Sequence, residues 1–118
     1  PRMGLWVGVH DAGQATAIGK CILGQLAADA RLDYLARHPL HDLTPRTVVD
    51  PRRLRLPLAG EVAVDDGEYA VGVCCVAAAV PTLDGVGAVG VVSPSTEPAR
   101  RTALTAAGRI SRALALGA

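Results

Sequence analysis

The sequence predicts an α+β domain in which helices pack on an antiparallel sheet. Three observations lead to this class. Two short, continuous apolar runs, Ala70 to Val80 and Gly87 to Ser93, are separated by "PTLDG", whose Asp84 and Gly85 suit a tight hairpin. Helical periodicity precedes these runs and returns after them. Half of the residues are apolar and 19% are charged, the balance of a chain with a packed core rather than a disordered one.

Taken in order, "RMGLWVGV" at 2 to 9 has the Val and Trp content of a strand, and "HDAG" reads as a turn. From Ala15 to Leu26 the apolar residues Ala17, Ile18, Cys21, Ile22 and Leu26 fall on one helical face. A second helix is expected from Asp29 to Arg37, with Leu32, Leu35 and Ala36 inward, ended by His38 and Pro39. The stretch "HDLTPRTVVDPRRLRLPLAG" reads as irregular chain with one helical turn from Pro51 to Leu56, stopped by Pro57. Three strands follow, at Glu61 to Asp65, Ala70 to Val80 and Gly87 to Ser93. The small residues Ala77, Ala78, Ala79 and Gly90 leave room for something to lie close against that sheet. A last helix from Glu97 to Leu116 places Leu104, Ala107, Ile110 and Leu114 on one face, with Arg101, Arg109 and Arg112 mostly elsewhere. No internal repeat or low-complexity linker interrupts the chain.

At 118 residues the chain is a single domain with a modest core. Its aromatic residues are Trp6, Tyr34 and Tyr69, with no Phe, so the core must come from Val, Leu and Ala and the stacking surfaces of single-strand binders are missing. A net charge of +1 gives little bulk attraction for DNA. Three cysteines, an odd number, include the adjacent Cys74 and Cys75, which point to opposite faces of a strand. That pattern implies no disulfide framework and points to a reducing, cytoplasmic setting. No apolar run approaches the roughly 20 residues that span a bilayer, so no membrane partner is expected. The chain opens on Pro1 with no basic-then-apolar signal segment, and truncation of a longer protein is the expected reason.

The stretch "GQATAIGKCIL" at 13 to 23 has the look of a phosphate-binding loop, but that loop requires four residues between its glycines and a hydroxyl after the lysine. Here five residues separate Gly13 from Gly19, and Cys21 follows Lys20. What remains is a helix start near Thr16, whose first amides lack intrahelical partners and favour an anion such as a small carboxylate. "HPLH" sets His38 and His41 three apart beside Asp42, but Pro39 breaks any helix that would align them, so neither they nor His10 are read as metal ligands. No Ser or Cys has the surroundings of an activated nucleophile, and Asp65 and Asp66 share one turn, so no catalytic residue and no cofactor are assigned.

Five landmarks occur in a familiar order: "ATAIGKCIL", "LTPRTVVDP", "VAVDDGEYAVGVCCVAAAV", "DGVGAVGVVSP" and "AAGRISRAL". Together they resemble the effector-binding domain of IclR-type bacterial transcription regulators, over nearly the whole chain from about residue 2. The resemblance implies a GAF-like sensor domain over 1 to 118, lacking its first helix and strand. It also implies a winged helix-turn-helix domain outside this chain, which alone would touch DNA. Such regulators bind small organic or aromatic acids and assemble as dimers or tetramers. By the same resemblance, backbone groups of Ala17 and Ile18 would touch the effector. Asp65 would lie at the pocket rim, accepting a hydrogen bond from a hydroxyl or a water, and the Cys75 side chain would face the cavity.

Strand alternation adds Val73 to the face of Cys75. Gly90 and Val92 match positions that often carry Ser, and Met3 matches an apolar wall. The departures are specific. Two hydroxyls are lost at Gly90 and Val92, Ile18 narrows a place usually held by a very small residue, and "PLH" is replaced by Ala12, Gly13 and Gln14. The stretch from Leu54 to Val62 is about one helical turn short of the family pattern. These changes imply a less polar pocket suited to a larger or more hydrophobic acid. A dimerisation module with a vestigial pocket is the alternative reading, and a small metal-binding protein of similar fold is a third.

Overall fold

Three strands form one antiparallel sheet in the order β1–β2–β3: Val62–Asp66 (β1), Cys74–Ala79 (β2) and Ala88–Ser93 (β3). The computed structural model describes residues 13–80, 85–94 and 96–115. The strand expected at 2 to 9 and most of the "PTLDG" connection fall outside the described residues. The neck of that connection is closed by the Val80 amide, which donates to the Gly87 carbonyl at 2.9 Å.

Helix α1 (Ala17–Gln25) packs on one face of the sheet and the C-terminal helix α3 (Thr96–Ala115) on the other. Alternation along the strands explains the division. Val76, Ala78, Val62, Val64, Val89 and Val91 point toward α3, while Ala63, Cys75, Ala77, Ala79 and Ala88 point toward α1. The two faces differ in bulk. Valine builds the α3 side, whereas alanine and cysteine build the α1 side, so the sheet is lined with small side chains where α1 begins.

Three expectations change. β2 starts at Cys74, not Ala70, because residues 67 to 72 form bends and a turn in which Gly67 (φ 73°) and Gly72 (φ 78°) take the left-handed conformation. Helix α3 buries Ala99, Ala103 and Ala107, while Leu104, Ile110 and Leu114 remain 43%, 40% and 45% exposed. An alanine stripe at four-residue spacing lets the helix settle directly on the valine face, which turns the bulkier side chains to its flank. Helix α2 (Ala28–Arg37) buries nothing, and Leu32 is 68% exposed. Polar contacts hold α2 instead. The Arg31 guanidinium donates to the Leu23 and Leu26 carbonyls at the end of α1, at 3.1 and 2.9 Å, and the Gly13 amide donates to the Tyr34 hydroxyl at 3.2 Å.

The turn expected from Pro51 to Leu56 is a 3₁₀ helix of Pro51–Arg53, capped by the Asp50 carboxylate, which accepts from the Arg52 amide at 3.0 Å. Beyond it, residues 54 to 58 run without regular structure across the end of α1. A side chain at Gly24 would come within 2.8 Å of the Pro57 carbonyl oxygen, so glycine is required at that crossing. Among the described residues no helix is long and apolar enough to cross a membrane.

The packing of α3 generates a contrast between neighbours. Ala103→Leu overfills a fully buried contact with the sheet and should cost about 1–3 kcal/mol in urea unfolding. Leu104→Ala removes a side chain that is already half in water and should cost less. The reverse ranking would show that the leucine flank, not the alanine stripe, faces the sheet.

Candidate functional site

The site starts at the turn into α1. Thr16 is the N-cap: its hydroxyl accepts from the Gly19 amide and its carbonyl from the Lys20 amide, both at 2.9 Å. The amides of Ala17 and Ile18 lie between these bonds at the first two helical positions, and no described residue accepts from them. They face the end of the helix dipole that attracts negative charge.

Gly19 and Lys20 have structural duties. A side chain at Gly19 would lie 2.6 Å from the Gly13 Cα, so glycine lets the loop from Gly13 to Thr16 curl over the helix. Lys20, only 5% exposed, reaches back to the sheet. Its ammonium donates to the Val64 carbonyl at 2.7 Å and pairs with both Glu68 carboxylate oxygens at 2.6 and 2.7 Å. One side chain thereby ties α1, β1 and the turn after β1 together.

Opposite the helix start, the sheet presents two cross-strand rows. Asp65, Cys75 and Val92 are register partners in one row, and Ala63, Ala77 and Gly90 in the next. Ala17, Cys21, Ala63 and Ala77 are buried together, with Ile18 and Cys75 packed on them. A Cβ at Gly90 would meet Ile18 Cγ1 at 2.9 Å and Cys75 Sγ at 3.4 Å. The Ile18 side chain therefore occupies the volume a larger residue at position 90 would need. The structure thus brings Ala17, Ile18, Cys75 and Gly90 into contact range. Val92, the register partner of Cys75, is 72% exposed, Val73 lies before the start of β2 and is 41% exposed, and Met3 lies outside the described residues.

Asp65 is buried, and its carboxylate accepts the amides of Glu68 at 2.8 Å and Tyr69 at 3.3 Å, closing the turn that carries Glu68. Burial raises its carboxyl above the ordinary 3.8. The two amide bonds and the Lys20 charge pull the other way, while the Glu68 charge adds to the rise. Burial likewise raises the thiols of Cys21, Cys74 and Cys75, with the Asp65 charge adding to the last two, which keeps them neutral and poorly nucleophilic.

The residues that sequence reasoning missed are those that hold this turn. Thr44 donates to the Gly67 carbonyl at 2.6 Å and Thr47 to the Glu68 carbonyl at 2.5 Å. The available signal was the pair of hydroxyls flanking the proline in "LTPRT". His38 stacks on Tyr34 with ring centroids 4.1 Å apart, and its Nδ1 lies 3.0 Å from the Tyr34 carbonyl. Among the described residues no group of three or more His, Cys, Asp or Glu is arranged to hold a metal ion.

These elements build a helix start whose first two amides have no acceptor among the described residues, set over a small-residue sheet face. The family model of the bacterial transcriptional regulator IclR C-terminal domain matches residues 1–114, and the chain belongs to that family. Among solved structures it is similar to a transcriptional regulator from Rhodococcus sp. RHA1, with a TM-score of 0.70 and 25% identity, covering 88% of this chain and 48% of that one. The C-terminal domain of the E. coli transcriptional regulator KdgR shares the fold, with a TM-score of 0.69 and 23% identity over 85% of this chain and 66% of that one. An IclR homolog from Microbacterium hydrocarbonoxydans, complexed with 4-hydroxybenzoate, gives a TM-score of 0.66 and 25% identity over 89% of this chain and 46% of that one. No curated protein sequence matches. The chain therefore spans about half the length of the Rhodococcus regulator. The α+β fold with helices on an antiparallel sheet agrees with these neighbours.

The Asp65 environment predicts a pH response. A carboxyl raised in the folded state binds its proton more tightly there than in the unfolded chain, so stability falls as pH rises from the ordinary 3.8 through the raised value. Asp65→Asn keeps an acceptor for the two amides and removes the charge, so its urea-unfolding stability should vary less between about pH 4 and pH 7 than that of the parent chain. Asp65→Ala orphans both amides and should cost about 1–3 kcal/mol at neutral pH. An unaltered pH profile in Asp65→Asn would contradict this assignment.

Proposed function

We propose that the chain is the effector-sensing and oligomerising domain of a DNA-binding transcription regulator, with a small organic acid as its effector. The observation that carries the reading is the pair of amides at Ala17 and Ile18, without acceptors among the described residues, above the face that bears Cys75 and Gly90. The effector carboxylate would accept from those amides. Cys75, Val73 and Val92 would bound the rest of the molecule, with Met3 from the opening segment. Asp65 would act by holding the rim turn in place, since its carboxylate is engaged by the Glu68 and Tyr69 amides. Binding would shift the packing of sensor domains within a dimer or tetramer, and with it the spacing of DNA-reading domains outside this chain.

The complex of the Microbacterium relative with 4-hydroxybenzoate supports an acid as the ligand class. The Ile18 side chain against Gly90 alters the size expected from the loss of two hydroxyls. The space gained at Gly90 is taken up by Ile18, which favours a compact acid over a larger one. The same contact favours a second reading, a dimerisation module whose pocket is closed by its own isoleucine.

Thermal shift with a panel of aliphatic and hydroxybenzoic acids separates the two readings, because a ligand of the folded state raises Tm. A sensor should be stabilised by at least one acid. Ile18→Ala should widen the set of stabilising acids, and Cys75→Trp should abolish the shift while the fold survives. No shift in either the parent chain or Ile18→Ala would leave the dimerisation module as the function.

A further inference from the structure

A second feature lies on the far edge of β1, away from the helix start. Among the described residues β1 lies at the edge of the sheet, and a groove of about 1050 Å³ runs along it between residues 53–61 and the first turns of α3. The Gly67 amide donates to the Val73 carbonyl, and antiparallel alternation then turns the backbone groups of Val62, Val64 and Asp66 away from β2, toward this groove. Two of the outward carbonyls are already occupied. Val64 accepts from the Lys20 ammonium at 2.7 Å, and Asp66 accepts from the Arg46 guanidinium at 3.4 Å. The Val62 and Val64 amides have no acceptor among the described residues. The edge is thus rich in donors and poor in acceptors, which blocks a full β-ladder with an incoming strand.

The side chains around the groove have the same bias. Five cations line it against three carboxylates. Lys20 is paired with Glu68, and Arg46 with Asp66 at 3.0 Å. Glu61 is turned to the Leu58 amide at 2.8 Å. Arg53 and Arg55 make no ion pair among the described residues, and Arg100 has only the exposed Glu97 at 3.8 Å. Between these guanidiniums lie Leu54, Leu56, Leu58 and Leu104, of which Leu58 is 74% exposed and Leu104 43%.

We propose that this groove docks an acidic, leucine-bearing peptide segment of a partner protein, its carboxylates on Arg53, Arg55 and Arg100 and its apolar side chains on the leucines. Charge complementarity selects the partner's sign, and the leucine lining selects a peptide over a nucleic acid backbone, which offers phosphates but no aliphatic side chains. The groove shares Lys20, Ala63 and Glu68 with the α1 side of the sheet, but none of Ala17, Ile18, Cys75 and Gly90, so the inference does not rest on the effector reading.

The test is fluorescence anisotropy with the full 118-residue chain and a labelled short peptide of alternating Glu and Leu. Saturable binding should weaken about tenfold or more when Arg53→Glu and Arg55→Glu are combined, weaken partially with Arg53→Gln and Arg55→Gln, and fall as salt rises. Both arginines are exposed, so circular dichroism should report an unchanged fold in all of these variants. A peptide of alternating Lys and Leu should not bind. Absence of binding by the acidic peptide overturns the proposal, as does equal affinity for the basic one. Displacement of the peptide by mixed-sequence duplex DNA at equal strength would overturn it in favour of a phosphate site. Sedimentation showing a dimer that the Arg53→Glu and Arg55→Glu pair dissociates would overturn it in favour of a second copy of the chain.

Discussion

The buried ammonium of Lys20 is the interaction on which the arrangement of the site depends. It leaves α1 one turn after the helix start and ends between the Val64 carbonyl and the Glu68 carboxylate. It therefore fixes three things at once: the height of the helix start over the sheet, the edge of β1, and the turn closed by Asp65. A buried pair of this kind is weak grounds for net stability, because desolvation offsets much of the attraction. Breaking it is another matter, since the Glu68 carboxylate would then be left nearly buried without its cation. Its consequence here is positional, and Thr44 and Thr47 hold the same turn from the other side.

Around that tether the site is a study in complementary volumes. Gly19 admits the Gly13–Thr16 loop, Gly24 admits Pro57, and Gly90 admits Ile18. In each case a missing side chain is matched by a close neighbour, so the α1 face of the sheet is packed with small groups yet leaves few gaps. At positions 18 and 90 the exchange sets an aliphatic branch against the sheet opposite the helix start, so that wall is apolar.

Much of this was legible in the sequence. The helix start at Thr16, the three strands and the antiparallel character of their sheet follow from capping chemistry and apolar runs, and five landmarks in order carry the resemblance to IclR-type sensors. The phase of α3 was not legible, because Leu104, Ile110 and Leu114 carry a stronger hydrophobic signal than the alanines that make the contact. Helix α2 was misread for a related reason: its leucines suggest an inward face, but Arg31 and Tyr34 anchor it through polar atoms. The role of Lys20 depends on pairing between residues about 45 apart, which periodicity cannot report, whereas the Asp65 carboxylate closes a local turn by accepting amides three and four residues on. The position of β1 at the edge of the described sheet was hidden likewise, because only the sheet order reveals it.

In the proposed function the Ala17 and Ile18 amides receive the effector carboxylate. Backbone amide shifts in ¹⁵N-resolved NMR, followed while an acid that stabilises the chain is titrated in, test it most directly. The Ala17 and Ile18 resonances should move furthest, with those of Cys75 and Gly90 shifting at the same midpoint. Perturbations confined to other parts of the chain, with these four unmoved at saturation, would contradict it.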